Sequence, residues 1–475
     1  MKFAICAVCL LAILFAVPGC AAPAVTPTSM ATLAAPAVTP TSTATLATPA
    51  MSPQEAIALA NQFYTLFMEK QDYPSAVAMF DDQMKTALPE NKLKEARDSL
   101  PQRVGAFQSR AEAKPQERQE QYERIIIPLQ FEKMAINMLV VVDTTTAKIS
   151  GLFFQPGQDS HADKYQAPAY VDTSKFVERE VKFGAEPWTL PGILALPTGA
   201  GPFPAVALVH GSGPNDRDET LGPNKPFKDI AQGLASRGIA VLRYDKRTKV
   251  YGDQLAKITA LTVKEEAVDD AAAAVDFLRT QPTIDPKHVF VLGHSLGGYL
   301  APRIAQAQPN LAGLIVLAGP TRPMEDLILE QMHYILESDG SLSAQDQAQL
   351  SAIQQEVDAV KALTPQSTAP AVMGSPAAYW LDLKEYHPVQ EAQRLTAPML
   401  ILQGERDYQV TMQDFQNWTE ALSSRPNVQL KHYTDLNHLF ISGSGRSTPD
   451  EYRTPGNVAA QVISDIAAWI QQQPK

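Results

Sequence analysis

The sequence predicts an α/β protein: an eight-stranded, mostly parallel sheet with an inserted helical segment, preceded by a small α+β domain. Three observations lead there. From about residue 170 onward, short β-branched apolar runs alternate with stretches of helical composition. One such run, His288-Val289-Phe290-Val291-Leu292, passes into a helix through the glycine-flanked serine of Gly293-His294-Ser295-Leu296-Gly297-Gly298. Before residue 166 the order is different, with helices first and strands grouped after them.

At 475 residues, with 45% hydrophobic and 19% charged side chains, the chain can bury the cores of two domains. Its net charge of −11 and lack of a basic run argue against a nucleic acid or an anionic membrane surface as partner. Residues 1–19 read as a signal peptide: Lys2 supplies a positive start, and residues 3–17 are apolar but too short to span a bilayer comfortably. The run Val17-Pro18-Gly19-Cys20 resembles the lipobox of bacterial lipoproteins, which implies lipidation at Cys20 and membrane contact by a lipid anchor only. The alternative is cleavage near Ala21 or Ala22 and release as a secreted or periplasmic protein; either way the protein is exported to the cell envelope or beyond. The three cysteines are Cys6, Cys9 and Cys20, so the mature chain has neither a disulfide nor a cysteine nucleophile.

Residues 20–51 form a Thr/Pro/Ala-rich tether in which Ala22-Pro23-Ala24-Val25-Thr26-Pro27-Thr28-Ser29 recurs as Ala35-Pro36-Ala37-Val38-Thr39-Pro40-Thr41-Ser42. The α+β domain then occupies 52–166. It opens on Ser52-Pro53-Gln54-Glu55, a capping box with proline at the first helical position, followed by Ile57, Ala60, Phe63, Tyr64 and Phe67 at helical spacing. Further helices are expected after Pro74 and over 90–100, and strands over 125–127, 134–142 and 148–154. No nucleophile, metal cluster or phosphate-binding loop stands out among them.

The second domain covers 167–475. Its strands are expected over 176–183, 192–196, 205–209, 239–244, 289–292, 314–317, 399–403 and 428–433, with antiparallel pairing at the beginning. Helices are expected over 228–236, 263–280, 299–307, 412–422 and 457–472. Between the sixth and seventh strands the alternation breaks. About residues 320–388 carry two apolar stripes at helical spacing, Met324, Leu327, Ile328, Met332 and Ile335, then Leu350, Ile353, Val357, Val360 and Leu363. They read as the helices of a lid, and the first stripe serves either as plain core or as the wall of an acyl pocket.

The chemistry is concentrated at the ends of these strands. Small residues at Gly293 and Gly297 permit a sharp strand-to-helix turn, which lifts the Ser295 hydroxyl off the sheet beside a helix N-terminus. Pro302, in the second turn of that helix, removes a donor and predicts a local kink. A serine nucleophile needs a base, itself oriented by an acid. The acid nominated is Asp407, in Gly404-Glu405-Arg406-Asp407 after the seventh strand; the base is His438, after the eighth. Glu405 competes for the acid role, and Asp435 shapes the turn before the histidine. His161, His333, His387 and His432 read as structural, and His294 points away from the hydroxyl. For the oxyanion, the Leu296 amide supplies one donor. The Ser212 amide, with Gly213 next, supplies the other, from the loop His210-Gly211-Ser212-Gly213-Pro214.

Together these residues resemble the α/β-hydrolase superfamily over roughly residues 170–474. The runs His210-Gly211-Ser212-Gly213-Pro214-Asn215-Asp216-Arg217-Asp218, Ala240-Val241-Leu242-Arg243-Tyr244-Asp245-Lys246-Arg247 and Gly293-His294-Ser295-Leu296-Gly297-Gly298 are similar to a bacterial carboxylesterase branch. That branch is related to the dienelactone-hydrolase and prolyl-oligopeptidase enzymes. The resemblance implies a Ser295–His438–Asp407 triad and hydrolysis of small-molecule, short-chain acyl esters through an acyl-enzyme, with no cofactor. Ser295 stands where dienelactone hydrolases carry cysteine, and nothing before residue 170 has the periodicity of a propeller. The first domain resembles the domain of unknown function that precedes the hydrolase in some bacterial esterases. Two other readings stay open: thioester, amide or acyl-transfer chemistry at the same site, and a tethered binding protein in which the site is inert.

Overall fold

The computed structural model describes residues 51–474 apart from 117, 119–120, 133–134, 158–164, 339 and 368–370. The signal peptide, Cys20, nearly all of the tether and His161 therefore lie outside the described residues. The chain divides into two compact units, one on each side of residue 160.

In the first unit the Ser52 side chain accepts from the Glu55 amide at 3.3 Å, and Glu55 accepts from the Ser52 amide at 2.7 Å. This box starts the helix Pro53–Tyr64, which continues as one wider turn, Thr65–Lys70, and stops where Gln71 takes φ 56°. Later helices include Tyr73–Ala78 and Glu90–Val104. Phe63 and Phe67 of the first helix and its wider turn, Leu93 of the last helix, and Phe80 between helices pack with Ile125, Ile127, Met138 and Val140 of an antiparallel sheet. The strand Tyr122–Phe131 is longer than its apolar triplet suggested. Pro128 sits within it opposite Asn137, and its carbonyl accepts from the Ala111 amide. Two short strands, Phe107–Arg110 and Lys114–Pro115, were not expected; their side chains are exposed, so no apolar alternation marks them.

The second unit holds eight strands: β1 (Phe176–Phe183), β2 (Leu190–Pro197), β3 (Phe203–Val209), β4 (Ala240–Tyr244), β5 (Ile284–His294), β6 (Gly313–Leu317), β7 (Met399–Gly404) and β8 (Val428–Tyr433). They form one mixed sheet in the order β8-β7-β6-β5-β3-β4-β2-β1. β2 runs antiparallel to β1 and β4, and every later pairing is parallel. The eight strands and the antiparallel start agree with the sequence. Val206, Leu208, Phe290, Leu292, Ile315, Leu317, Leu400 and Leu402 meet the helices α1 (Pro226–Ala235) and, at the C-terminus, Ala460–Gln472. The residues between them are buried as well, so both faces are covered; α2 (Asp269–Arg279) and α3 (Leu296–Ala307) lie against β5.

Between β6 and β7 stand α4 (Met324–Leu336), α5 (Ala344–Lys361), α6 (Ala377–Lys384) and α7 (Pro388–Arg394). Both apolar stripes are largely buried. A strand-free segment was expected here, yet Ala371–Val372 pairs with Ser375–Pro376. The turn runs through Met373 (φ 48°) and Gly374 (φ 77°), and two residue pairs are too short to leave a periodic signal. The α3 helix continues through Pro302 to Ala307, with that residue lacking a donor for the Gly298 carbonyl.

Candidate active site

β5 delivers its last residue, His294, directly to Ser295, whose backbone takes φ 54° and ψ −116°. An L-residue held there stores on the order of 1–3 kcal/mol, so the surroundings must enforce it. They do so by close approach. A Cβ on Gly293 would lie 2.1 Å from the Gly297 carbonyl oxygen, and one on Gly297 would lie 2.2 Å from that of Val209. The Ser295 amide donates to the Leu317 carbonyl at 2.9 Å, which ties the turn to β6.

Asp407 follows β7 and is buried. Its Oδ1 accepts the amides of Gln409 (2.8 Å) and Val410 (3.0 Å). Its Oδ2 accepts Gln403 Nε2 at 3.2 Å and faces Nδ1 of His438 at 2.7 Å. A carboxylate only accepts, so Nδ1 carries the proton and Nε2 is left as the basic nitrogen. Asn437 Oδ1 holds the histidine turn by accepting the amides of Leu439 and Ile441. Glu405, the competing acid, is turned to His432 at 2.6 Å on the exposed side. Asp435 is exposed, and its backbone carbonyl accepts from the Gly443 amide within the turn. His333 and His387 are exposed in the inserted segment. Among the described residues the Ser295 hydroxyl takes no hydrogen-bond partner; such bonds commonly shorten only as substrate binds.

His294 links the two halves of the site. Its Nε2 lies 2.9 Å from the His438 carbonyl oxygen, and the two rings are 4.7 Å apart. On its other side Nδ1 lies 2.9 Å from Glu219 Oε2, close enough for an ion pair though off the line of a good hydrogen bond. Burial pulls the imidazole down, but Glu219, the His438 carbonyl and Asp407 outweigh it and raise its pKa above the ordinary value. Burial likewise pushes Glu219 up, while His294, His210 and the Gly211 amide hold it below the ordinary carboxylate value. His210 is the opposite case. Enclosed by Phe227 and Tyr244, it is pushed down to about 4, chiefly by burial, with Nε2 directed at the Asp216 carbonyl.

The loop after β3 presses against the nucleophile: a Cβ on Gly211 would lie 3.1 Å from Ser295 Cβ. The Gly211 amide is taken by Glu219 Oε1 at 2.6 Å. Among the described residues the amides of Ser212, Gly213 and Leu296 donate to no protein acceptor. Gly213 takes φ 93°, which glycine alone adopts cheaply. The Gly211 carbonyl accepts from Lys246 Nζ at 2.9 Å and Asn215 Nδ2 at 3.1 Å. Lys246 also donates to Glu266 Oε1 at 2.6 Å, and Glu266 Oε2 accepts from the Tyr379 hydroxyl at 2.7 Å. No local pattern in the sequence marks Glu219, Gln403, Glu266 or Tyr379 as part of the site. Each meets its partner across the fold or the end of a loop, and no spacing signals it.

Residues 205–443 match the family described as serine aminopeptidase, S33. Residues 60–152 match a family described only as a protein of unknown function. The chain is 40% identical over 405 residues to esterase EstD of Thermotoga maritima, covering 85% of this chain and 92% of that one. It is 23% identical over 277 residues to the quorum-quenching protein AidA of Acinetobacter baumannii, covering 54% of this chain and 86% of that one. Among solved structures, an esterase of Pyrococcus furiosus superposes with a TM-score of 0.41 at 18% identity, covering 63% of this chain and 92% of that one.

Proposed function

This chain belongs to the serine aminopeptidase S33 family of serine hydrolases, and from that premise we propose that it is a carboxylesterase acting on short-chain acyl esters through an acyl-enzyme. The observation that carries the reading is the buried Asp407–His438 contact of 2.7 Å, together with a serine at φ 54° whose chain neighbour His294 lies 2.9 Å from the His438 carbonyl oxygen. Ser295 Oγ attacks the ester carbonyl carbon while His438 Nε2 takes its proton, and Asp407 stabilises the imidazolium through Nδ1. The oxyanion is received by the Leu296 and Ser212 amides, with Gly213 next. Collapse expels the alcohol, which leaves with the proton from His438. Water then attacks the acyl-enzyme by the same route, giving the carboxylic acid and restoring Ser295.

In this reading α4–α7 act as a lid, an interpretation supported by their insertion between β6 and the acid-bearing strand. Export and anchoring at Cys20 belong to the same proposal and are supported by the residues before the tether. The family description favours a second reading, cleavage of an aminoacyl amide at the same serine; the similarity to EstD favours the ester. Turnover of p-nitrophenyl butyrate by wild type and Ser295→Ala tests the site. The variant should lose on the order of 10⁴- to 10⁶-fold in kcat, and equal rates would sink the assignment. An aminoacyl anilide run beside the ester separates the two substrate classes.

A further inference from the structure

The run Arg243-Tyr244-Asp245-Lys246-Arg247 at the end of β4 has no part in the triad, yet it places a buried ammonium against the oxyanion loop. We propose that Lys246, clamped by Glu266 and Tyr379, is a positioning residue: it locks the Gly211–Ser212 peptide so that the Ser212 N–H faces the oxyanion. The inference rests on the serine-hydrolase reading above.

Three observations support it. In a trans peptide the carbonyl and the following N–H point in opposite directions, so fixing one fixes the other. The Gly211 carbonyl is held by Lys246 Nζ at 2.9 Å, and the N–H of the same peptide unit, that of Ser212, has no protein acceptor among the described residues. Gly211 has no side chain to resist a flip of this peptide, and it lies against Ser295, so the unit's orientation decides whether the nucleophile meets a donor or an acceptor.

A cation on the carbonyl does more than orient it. It draws electron density toward the oxygen and makes the N–H at the other end of the peptide a stronger hydrogen-bond donor. Lys246 is 2% exposed, and its charge is met by Glu266 at 2.6 Å, so the pair is held where water does not compete. Glu266 is in turn fixed by the hydroxyl of Tyr379, which lies on α6 of the inserted segment. The donor geometry of the oxyanion loop is therefore wired, through three side chains, to the segment between β6 and β7. Asn215 Nδ2 shares the Gly211 carbonyl at 3.1 Å, and this second donor bounds the effect of losing the first.

The test uses the full chain, with active sites counted by a fluorophosphonate so that misfolded protein drops out of the rate. Lys246→Met with Glu266→Gln removes the ammonium without stranding a buried carboxylate. The kcat per titrated site on p-nitrophenyl butyrate should fall about 10- to 100-fold with KM within about twofold, less than complete loss of an oxyanion donor. Affinity for a trifluoromethyl ketone analogue, which forms a tetrahedral adduct, should fall in parallel. A merely structural role would lower the number of sites and leave kcat per site alone, and that result overturns the proposal, as does a raised KM at unchanged kcat. Should the double variant fail to fold, Tyr379→Phe removes a single oxygen; kcat should drop about two- to fivefold, and an unchanged kcat overturns the proposal equally. Ser295→Ala in the same assay separates the outcomes, because failure of the serine-hydrolase reading leaves that variant active.

Discussion

The first unit encloses Phe63, Phe67, Phe80, Ile125, Ile127 and Met138, and among its described residues the buried polar or charged side chains are Glu123, Asp143 and Thr144. The second encloses Lys246, Arg243, Arg247, Glu219, Glu266, Asp270 and Asp407 beside an apolar core just as dry. Burying apolar surface stabilises directly, at about 25 cal/mol per Å². Burying an ion pair costs several kcal/mol in desolvation, and apolar replacements are often as stable. Stability therefore does not account for the second set. Several of these charges are spent on backbone groups of the site: Glu219 on the Gly211 amide, Lys246 on the Gly211 carbonyl, Asp407 on two amides and an imidazole. One unit uses burial to hold together, the other to aim donors and acceptors.

The largest expected effect sharpens the contrast within the second unit. Asp407→Asn should lower kcat about 10³-fold, on the order of 4 kcal/mol of barrier, while Glu405→Gln stays within about threefold. Comparable losses in both would mean that burial and pairing with His438 do not distinguish the two acids. Steady-state kinetics on one ester suffice.

Next comes Glu219→Gln, which breaks a buried pair at a cost of about 3 kcal/mol. Its pH dependence has a definite sign. His294 is raised above its ordinary 6.5, so its contribution is complete below that pH and is lost as pH rises through the folded value. Glu219 is lowered beneath its ordinary 4.5, so its contribution is complete above that pH and is lost as pH falls through the folded value. The gap between wild type and variant in urea denaturation should be widest between pH 4.5 and 6.5 and should narrow on the alkaline side as His294 loses its proton. A gap that widened toward alkaline pH would remove the ion pair from the account.

The smallest effect belongs to the first unit. Leu93→Ala, at a fully buried position, should cost about 2–3 kcal/mol as transfer plus cavity. That cost should be the same at pH 5.5 and pH 9, because no charge is involved. A pH-dependent loss here would erase the distinction between the units.

Much of the fold is legible in the sequence because its signals are local. Six of the eight strands of the second unit carry their own apolar runs, β1 and β8 mix apolar with polar residues, and the turn at Ser295 carries the glycines that its close approaches demand. The first unit is less legible at its edges. Phe107–Arg110 exposes every side chain, so pairing with its neighbour, rather than pattern, makes it a strand. The site is legible to the extent that its parts follow strand ends in chain order. Glu405 and Asp407 lie two residues apart on one turn, and chain order does not separate them; the hydrogen bonds of that turn point Asp407 inward and leave Glu405 beside His432.

The amino-acid order alone determined an α/β sheet of eight strands, a serine on a glycine-flanked turn, and an acid and a histidine trailing later strands. Each of these is written in a few adjacent residues, where backbone sterics and apolar periodicity act. Only the tertiary structure decided that His294 bridges Glu219 to the His438 carbonyl, and that Lys246 holds the Gly211 carbonyl while Tyr379 steadies Glu266. Those partners stand 35 to 144 positions apart. Buried charges must find one another wherever the sheet order brings them, and that order is a property of the whole packed chain.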